Sequence, residues 1–163
     1  MIGRPIRLAI LFALVPYQVS QADVPPARSL HVEGYTGSVS YAPGEELAFH
    51  LSTTAGKVSI SIERLGQKNV TVWSKDGVAA GNHPIPDRAS SHGCGWPVAY
   101  TMEIPDDWQS GYYQATFSVS DNGGSFVHRG RRTARSTAYF IIRSARPGQD
   151  TKILLQLSTN TYN

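Results

Sequence analysis

The sequence predicts an all-β protein, an antiparallel β-sandwich of immunoglobulin-like or jelly-roll-like type. Apolar and polar residues alternate with a period of two in four segments, which is typical of strands with one buried face. Turn-forming runs such as "APGEE", "TTAGK", "PDDWQSG" and "DNGGS" separate these segments. No window of ten residues has a helical period. Seven or eight short strands at such spacing favour a sandwich.

The elements follow in order along the chain. "SLHVEGY" and "GSVSYA" are predicted to form a short bent pair, and "ELAFHLST", "KVSISIER", "VAYTMEI" and "YQATFSV" are the four alternating strands. "NVTVWS" and "TAYFIIR" are further strands with weaker alternation. The alternation assigns these residues to the core: Leu47, Phe49, Leu51, Val58, Ile60, Ile62, Val98, Tyr100, Met102, Ile104, Tyr113, Ala115, Phe117 and Val119.

The first 22 residues are interpreted as a signal peptide. Arg4 and Arg7 precede the apolar run Leu8–Val15, and Ser20 and Ala22 are small residues of the kind found before a cleavage site. The run is too short to cross a membrane, which takes about 20 residues. We therefore expect a periplasmic or secreted protein without a membrane span after cleavage. Removing Arg4 and Arg7 lowers the formal net charge from +3 to +1.

The remaining chain divides at a second boundary. Residues 23–29 are predicted to be a linker, 30–146 the sandwich, and 147–163 a linker followed by one strand. Pro147 and Gly148 end the preceding strand, and Ile153–Leu157 is apolar except for Gln156. A strand that is apolar on both faces is typical of a parallel sheet covered on both sides. We interpret it as the first strand of an α/β domain whose remainder is missing from the chain.

The single cysteine, Cys94, cannot form an internal disulfide. Cys94 and His92 suggest a nucleophile and its base, but residues so close in sequence seldom pair and no third orienting group is evident. A structural role at the entrance to a strand is the favoured interpretation. No catalytic residue is therefore predicted.

The sequence contains one cluster of possible metal ligands and one cluster of basic residues. His83, Asp87, His92 and Cys94 could bind zinc, but their spacing matches no compact ligand motif. A second cluster is basic and comprises His128, Arg129, Arg131, Arg132 and Arg135. It lacks lysines and interleaved aromatic residues, so a solvated loop is favoured over a nucleic-acid site. His50 is predicted to face solvent.

Three aromatic residues are candidate ligand-binding residues. Trp96, Trp108 and Tyr112 could form a platform on which a sugar stacks, and the alternative is that each packs at the end of a strand. The long segment from Lys75 to Gly95 is predicted to be a loop. Long loops in compact domains are often functional.

Several stretches together carry a more specific resemblance. They are "EGYTGSVSYAPGEELAFHLST", "ISIERLG", "HGCGWPV", "IPDDWQSGYYQATFSV", "YFIIRSARPG" and "ILLQLSTNTYN". In their order and spacing they resemble the N-terminal region of the large (beta) subunit of N,N-dimethylformamidase and its relatives. The resemblance implies a β-rich region that precedes a larger, glutamine-amidotransferase-like α/β catalytic region.

The resemblance also implies the family's chemistry. Its members use iron, held by tyrosine and glutamate side chains, to hydrolyse small amides. Tyr162, in "TYN", is similar to a metal-binding tyrosine of the family, and the other ligands would lie downstream of this chain. The chain itself is therefore expected to hold no cofactor.

The expected function is that of an exported accessory β-sandwich domain of a dimethylformamidase-like hydrolase, inactive alone, whose partner is a downstream catalytic domain or subunit. The alternative is a free-standing periplasmic binding module for a glycan or a protein. A small metal-binding periplasmic protein is the third hypothesis.

Overall fold

The computed structural model describes residues 29–121 and 132–152, which form two β-sheets packed face to face. The predicted signal peptide, residues 122–131, the predicted strand Ile153–Leu157 and Tyr162 lie outside this part of the chain. The elements are β1 (Val32–Thr36), β2 (Ser40–Tyr41), β3 (Glu46–Thr53), β4 (Lys57–Leu65), β5 (Val70–Ala79), α1 (Ala89–His92), β6 (Val98–Glu103), β7 (Gly111–Asp121) and β8 (Arg132–Ile142).

The first sheet has the strand order β1-β3-β6, and the second has the order β2-β8-β7-β4-β5. Every pairing is antiparallel except that of β2 with β8, which is parallel. The predicted β-sandwich is confirmed, with this two-residue parallel pair as the departure. The chain crosses between the sheets five times, and β4–β5 and β7–β8 are antiparallel pairs of consecutive strands within the second sheet.

The core lies between the sheets and is built by the predicted alternation. In β3, β4 and β7 the residues expected inside are buried. Phe49 of the first sheet and Phe117 of the second are both fully buried and meet edge to face, with ring centroids 5.9 Å apart. This geometry is the one that aromatic pairs prefer.

The prediction for β6 is wrong at its first residue. The register between β3 and β6 shifts so that Phe49 pairs with Tyr100 and His50 with Val98, which leaves Ala99 as an extra residue. Such a bulge reverses the face on which the following residues lie. Val98 is therefore 50% exposed, whereas Ile104, directly after the strand, is buried.

The predicted pairing of "SLHVEGY" with "GSVSYA" is also wrong. β1 pairs with β3 and β2 pairs with β8, so the chain passes from one sheet to the other between Thr36 and Ser40. Gly34 leaves no room for a side chain, because a Cβ there would be 2.5 Å from Leu51 Cδ2 and 2.8 Å from Phe117 Cε2. Because β2 has only two residues, it is too short to show an alternating pattern, and the sequence does not indicate its partner strand.

The predicted Lys75–Gly95 loop begins later than expected. β5 continues to Ala79 through Gly77, whose φ of 72° is in the left-handed region. Val58 pairs with Val78 and Ile60 with Lys75, so a bulge at Gly77 accommodates the extra residue. The irregular segment therefore spans residues 80–97 and contains α1.

Two members of the basic cluster lie among the described residues, and neither lies in the predicted loop. Arg132 and Arg135 belong to β8 rather than to a loop. Arg132 donates to a carboxylate oxygen of Asp121 on the neighbouring strand at 2.7 Å. These two arginines therefore belong to a sheet, and the charge of Arg132 is paired.

Candidate functional site

One end of the sandwich combines a packed tryptophan, an arginine and two adjoining clefts. The turn between β6 and β7 is closed by the amide of Trp108, which donates to the carbonyl of Pro105 at 3.1 Å. The indole of Trp108 is 9% exposed and stacks on Tyr113, with centroids 5.2 Å apart and planes 5° from parallel. Trp108 thus forms a wall at this end of the core.

Tyr113 fixes the same turn from below. Its ring is buried near the start of β7, and its hydroxyl donates to the carbonyl of Gln109 at 2.6 Å. Burial raises the pKa of Tyr113, while the nearby positive charge of Arg64 opposes the rise. A tyrosine at the start of a strand that bonds back to the turn is the tyrosine corner of immunoglobulin-like sandwiches.

Arg64 lies at the end of β4, on the core-facing side, opposite Tyr113. Its Nη2 donates to the carbonyl of Ser110 at 3.2 Å, whereas its Nε is buried without a hydrogen-bond partner. Gly111 leaves room for the guanidinium, since a Cβ there would be 3.1 Å from Arg64 Nε. The guanidinium is therefore held in place by its hydrogen bond to the turn, while its Nε–H group has no acceptor.

The larger cleft, called the C-terminal cleft here, has a volume of about 570 Å³. It lies between the β6–β7 turn and the segment that follows β8. Its charged lining comprises Arg64, Asp106, Asp107, Arg143, Arg146 and Asp150. Arg143 pairs with Glu45, and Arg146 pairs with Asp150 at 3.0 Å. The cleft is thus polar, with both signs of charge on its walls.

The smaller cleft, called the Arg64 trough here, has a volume of about 350 Å³ and shares a wall with the first. It is lined by Arg64, Val70, Val72, Asp107, Trp108, Gln109 and Tyr113. Apolar and aromatic side chains with a few convergent polar groups are typical of small-molecule sites. Val70 is 56% exposed and forms the rim.

The three predicted ligand-binding aromatics do not lie together. Trp96 precedes β6 and Trp108 follows it, so the two flank the strand at opposite ends. Tyr112 lies on β7 next to Tyr113 and stacks on Tyr139 of β8, with centroids 5.3 Å apart. Trp96 is 7% exposed, which leaves little ring surface for a sugar. Ligand binding by these residues stays a prediction.

Trp96 instead anchors the segment 80–97. Its indole Nε1 donates to the carbonyl of Pro84 at 2.9 Å, and its amide donates to the hydroxyl of Tyr35 at 3.0 Å. The prediction that His50 is merely solvated is wrong. The half-buried imidazole stacks on Tyr35 at 4.7 Å, and its Nδ1 lies 2.6 Å from the carbonyl of Trp96. Because a carbonyl only accepts, Nδ1 carries the proton.

The candidate nucleophile and metal ligands lie in the same segment. Cys94 is half-buried and its thiol is free. The exposed His92 has its Nδ1 2.7 Å from Ser91 Oγ. Within residues 29–121 and 132–152, no three His, Cys, Asp or Glu side chains converge into a set that could hold a metal ion. Tyr162, the metal-binding residue that the resemblance implies, lies outside the described residues.

Sequence reasoning missed Arg64 and the Tyr113 hydroxyl. Arg64 follows Ile60 and Ile62 on the core-facing side of an alternating strand, and a charged residue in such a position could have indicated a site.

No helix in the described part of the chain is long and apolar enough to span a membrane.

Comparison with known proteins finds similar solved structures. No curated protein matches the chain. The sporulation control protein Spo0M from Bacillus subtilis is similar in structure, with a TM-score of 0.45 and 12% sequence identity. The similarity covers 74% of this chain and 51% of that chain, so this chain spans about half the length of Spo0M.

The family comparison is more specific. The family described as "N,N-dimethylformamidase beta subunit-like, C-terminal" matches residues 59–163, from β4 onward. The predicted placement in an N-terminal region is met only in part, because this description refers to a C-terminal part of the subunit. The match covers more than half of the chain, and it includes the lining of both clefts except for Pro43. The chain therefore belongs to the N,N-dimethylformamidase beta subunit-like family.

Proposed function

We propose that this chain is an exported accessory β-domain of a dimethylformamidase-like amide hydrolase, without catalytic activity of its own. The family match over residues 59–163 carries the proposal. The chemistry in question is the hydrolysis of a small amide to an acid and an amine. The catalytic region and the iron belong to the partner, which is a further domain or subunit.

The C-terminal cleft is the contact surface that we assign to this partner. It is lined by residues 143–146 and 150–151, the segment through which the family match continues beyond β8. Its mixed charges suit an interface in which both partners contribute ion pairs, since charge complementarity selects the partner and its orientation. Asp106 is exposed on the turn and is the charge most readily reversed.

The experiment combines the purified chain with a separately produced catalytic region from a longer member of the family. The chain alone should release no dimethylamine from N,N-dimethylformamide. The two parts should co-elute in size-exclusion chromatography. Asp106→Arg should weaken their association, whereas Asp87→Arg, which reverses a matched exposed acid in segment 80–97, should not.

Turnover by the chain alone would contradict its accessory role. Association that is equally strong in both variants would contradict the assigned surface. Export is tested separately, because a signal peptide cleaved after Ala22 predicts a periplasmic or secreted protein whose first residue is Asp23. A protein recovered with residues 1–22 intact in the cytoplasm would overturn export.

A second candidate function is a free-standing glycan-binding module. The observation that favours it is the stacked pair of Tyr112 and Tyr139 on the outer face of the second sheet, where Tyr139 is 48% exposed. Exposed aromatic rings offer a surface on which sugars stack. Retention on immobilised polysaccharides that is lost in Tyr139→Ala would support this function, and absence of retention would exclude it for the polysaccharides used.

A further inference from the structure

Arg64, which lines both clefts, differs from the other arginines of the C-terminal cleft in having no carboxylate partner. Arg143 and Arg146 each have a carboxylate partner, whereas Arg64 forms no ion pair with any described residue. Its Nε is buried and has no hydrogen-bond partner. Leaving a buried donor without a partner is unfavourable, so the fold holds the guanidinium here at a cost to its stability.

The walls of the trough define what a ligand of Arg64 would look like. Val70, Val72 and the stacked rings of Trp108 and Tyr113 form an apolar surface beside the guanidinium. A volume of about 350 Å³ lies at the small end of ligand pockets. The ligand is therefore small, with an apolar body and one anionic group.

The surrounding acids restrict the charge of that group. Asp107 lines the trough, and Asp106 and Asp107 are exposed on the adjoining turn. Two carboxylates near a single free guanidinium disfavour a doubly charged anion such as phosphate. The planar fork of a guanidinium matches a carboxylate.

We propose that the Arg64 trough binds a small organic monocarboxylate, with its carboxylate on Arg64 and its apolar body against Trp108 and Val72. The site shares Arg64, Asp107, Trp108 and Gln109 with the partner surface assigned above, but it does not depend on the proposed function. The ligand's carboxylate accepts hydrogen bonds from the N–H groups of Arg64 that do not donate to Ser110.

Titration of the full chain with butyrate and benzoate, followed by the indole N–H signals in ¹⁵N–¹H NMR, tests the proposal. The Trp108 signal, assigned with Trp108→Phe, should shift saturably, while the Trp96 signal, anchored to Pro84, should not. Butyramide has the shape of butyrate without its charge and should produce no saturable shift. Phosphate should fail to displace butyrate.

Arg64→Gln should weaken butyrate binding about tenfold or more, since hydrogen bonds to charged groups contribute about 1.5–3 kcal/mol. Arg64→Lys keeps the charge but loses the fork and should be intermediate. Arg88→Gln removes an exposed arginine of segment 80–97 and should bind as the unaltered chain does. Unchanged indole signals for Trp73 and Trp96 establish that each variant is folded.

Equal shifts with butyramide, displacement of butyrate by phosphate, or unaltered binding in Arg64→Gln would each overturn the proposal. So would the absence of a saturable Trp108 shift in the unaltered chain. Because the measurement uses the chain alone with free carboxylates, its failure would leave the association experiment above unaffected.

Discussion

At the scale of single residues, Tyr113 connects the core to the candidate site. Its ring stacks between Trp108 and Phe140, and its hydroxyl holds the carbonyl of Gln109. Alternation along β7 correctly predicts that the ring is buried. The partner of the hydroxyl lies four residues upstream in a turn, where alternation carries no information. Only the position of a tyrosine at the start of a strand could have indicated it.

Removing this hydroxyl tests its contribution. Tyr113→Phe should lower the free energy of unfolding by about 1–2 kcal/mol, because the ring packing is kept while the hydrogen bond is lost. Urea denaturation measures the change. Tyr139→Phe is the control, because its ring is half-exposed, and it should alter stability by less than about 0.5 kcal/mol. Equal effects in the two variants would contradict the assigned role.

Alkaline pH should destabilise the fold through two buried tyrosines. Burial raises the pKa of Tyr41 and of Tyr113 above the ordinary value of 10.0. Below that value both phenols are protonated in the folded and the unfolded chain, so stability does not change. As the pH rises above it, the unfolded chain releases these protons first, and stability is lost.

Urea midpoints measured from about pH 8 to pH 11 follow this loss, and the upper limit lies one unit above the ordinary tyrosine pKa. In Tyr113→Phe the decline should be shallower, because one of the two titrating phenols is gone. A decline of the same steepness in Tyr113→Phe would show that Tyr113 does not contribute to it.

At the scale of elements, the segment 80–97 is anchored by side chains at both ends. Ser52 Oγ accepts from the amide of His83 at 2.8 Å and donates to its carbonyl at 2.9 Å. At the other end Trp96 is held by Tyr35 and His50. The sequence indicates a long loop here but not its anchors, because residues 31 to 61 positions apart form them.

Truncation of the imidazole should release this segment. In His50→Ala the carbonyl of Trp96 loses its partner and the ring of Tyr35 loses its stacked neighbour, so the amides of residues 82–97 should exchange with deuterium about tenfold faster. Hydrogen–deuterium exchange read by mass spectrometry measures this. His92→Ala, in an exposed position of the same segment, should leave exchange unaltered. Equal exchange in the two variants would contradict the anchor.

The errors in the predicted elements share a physical origin. The bulges at Ala99 and Gly77 and the brief parallel contact of β2 are all set by the partner strand. Alternation along one strand reports which face is buried, and it does so correctly for β3, β4 and β7. It does not report register, because register depends on pairing across the sheet.

At the scale of the whole molecule, the family match and the folding unit have different limits. The match begins at residue 59, inside β4, whereas the core also requires strands before that point. Val32, Tyr41, Leu47, Phe49 and Leu51 are all buried and all precede the match. Two of the three strands of the first sheet, β1 and β3, belong to this earlier part.

A chain of residues 59–163 should therefore fail to fold, because one face of β4 and β7 would lack its cover. A chain of residues 29–152 should unfold cooperatively. Dispersion of amide signals in NMR and the presence of a sharp thermal transition distinguish the two. A dispersed spectrum from residues 59–163 would show that the matched region is an independent unit.

Sequence alone predicts the sandwich, its core and the family, whereas the candidate site needed the structure. The clefts combine the end of β4, the β6–β7 turn and the segment after β8, which are more than thirty residues apart in the chain. Trp108 could be singled out by residue type. Its proximity to Arg64 follows only from the pairing of β4 with β7.

The parallel pair of β2 and β8 determines how the sandwich would respond to tension. The amide of Ile141 donates to the carbonyl of Val39, and the amide of Arg143 donates to that of Tyr41. Because the two strands run in the same direction, a pull on the chain before β2 and after β8 slides one strand along the other. These hydrogen bonds are then loaded together in shear, rather than opened one after another as in an antiparallel hairpin, so the shortest strand acts as a mechanical clasp.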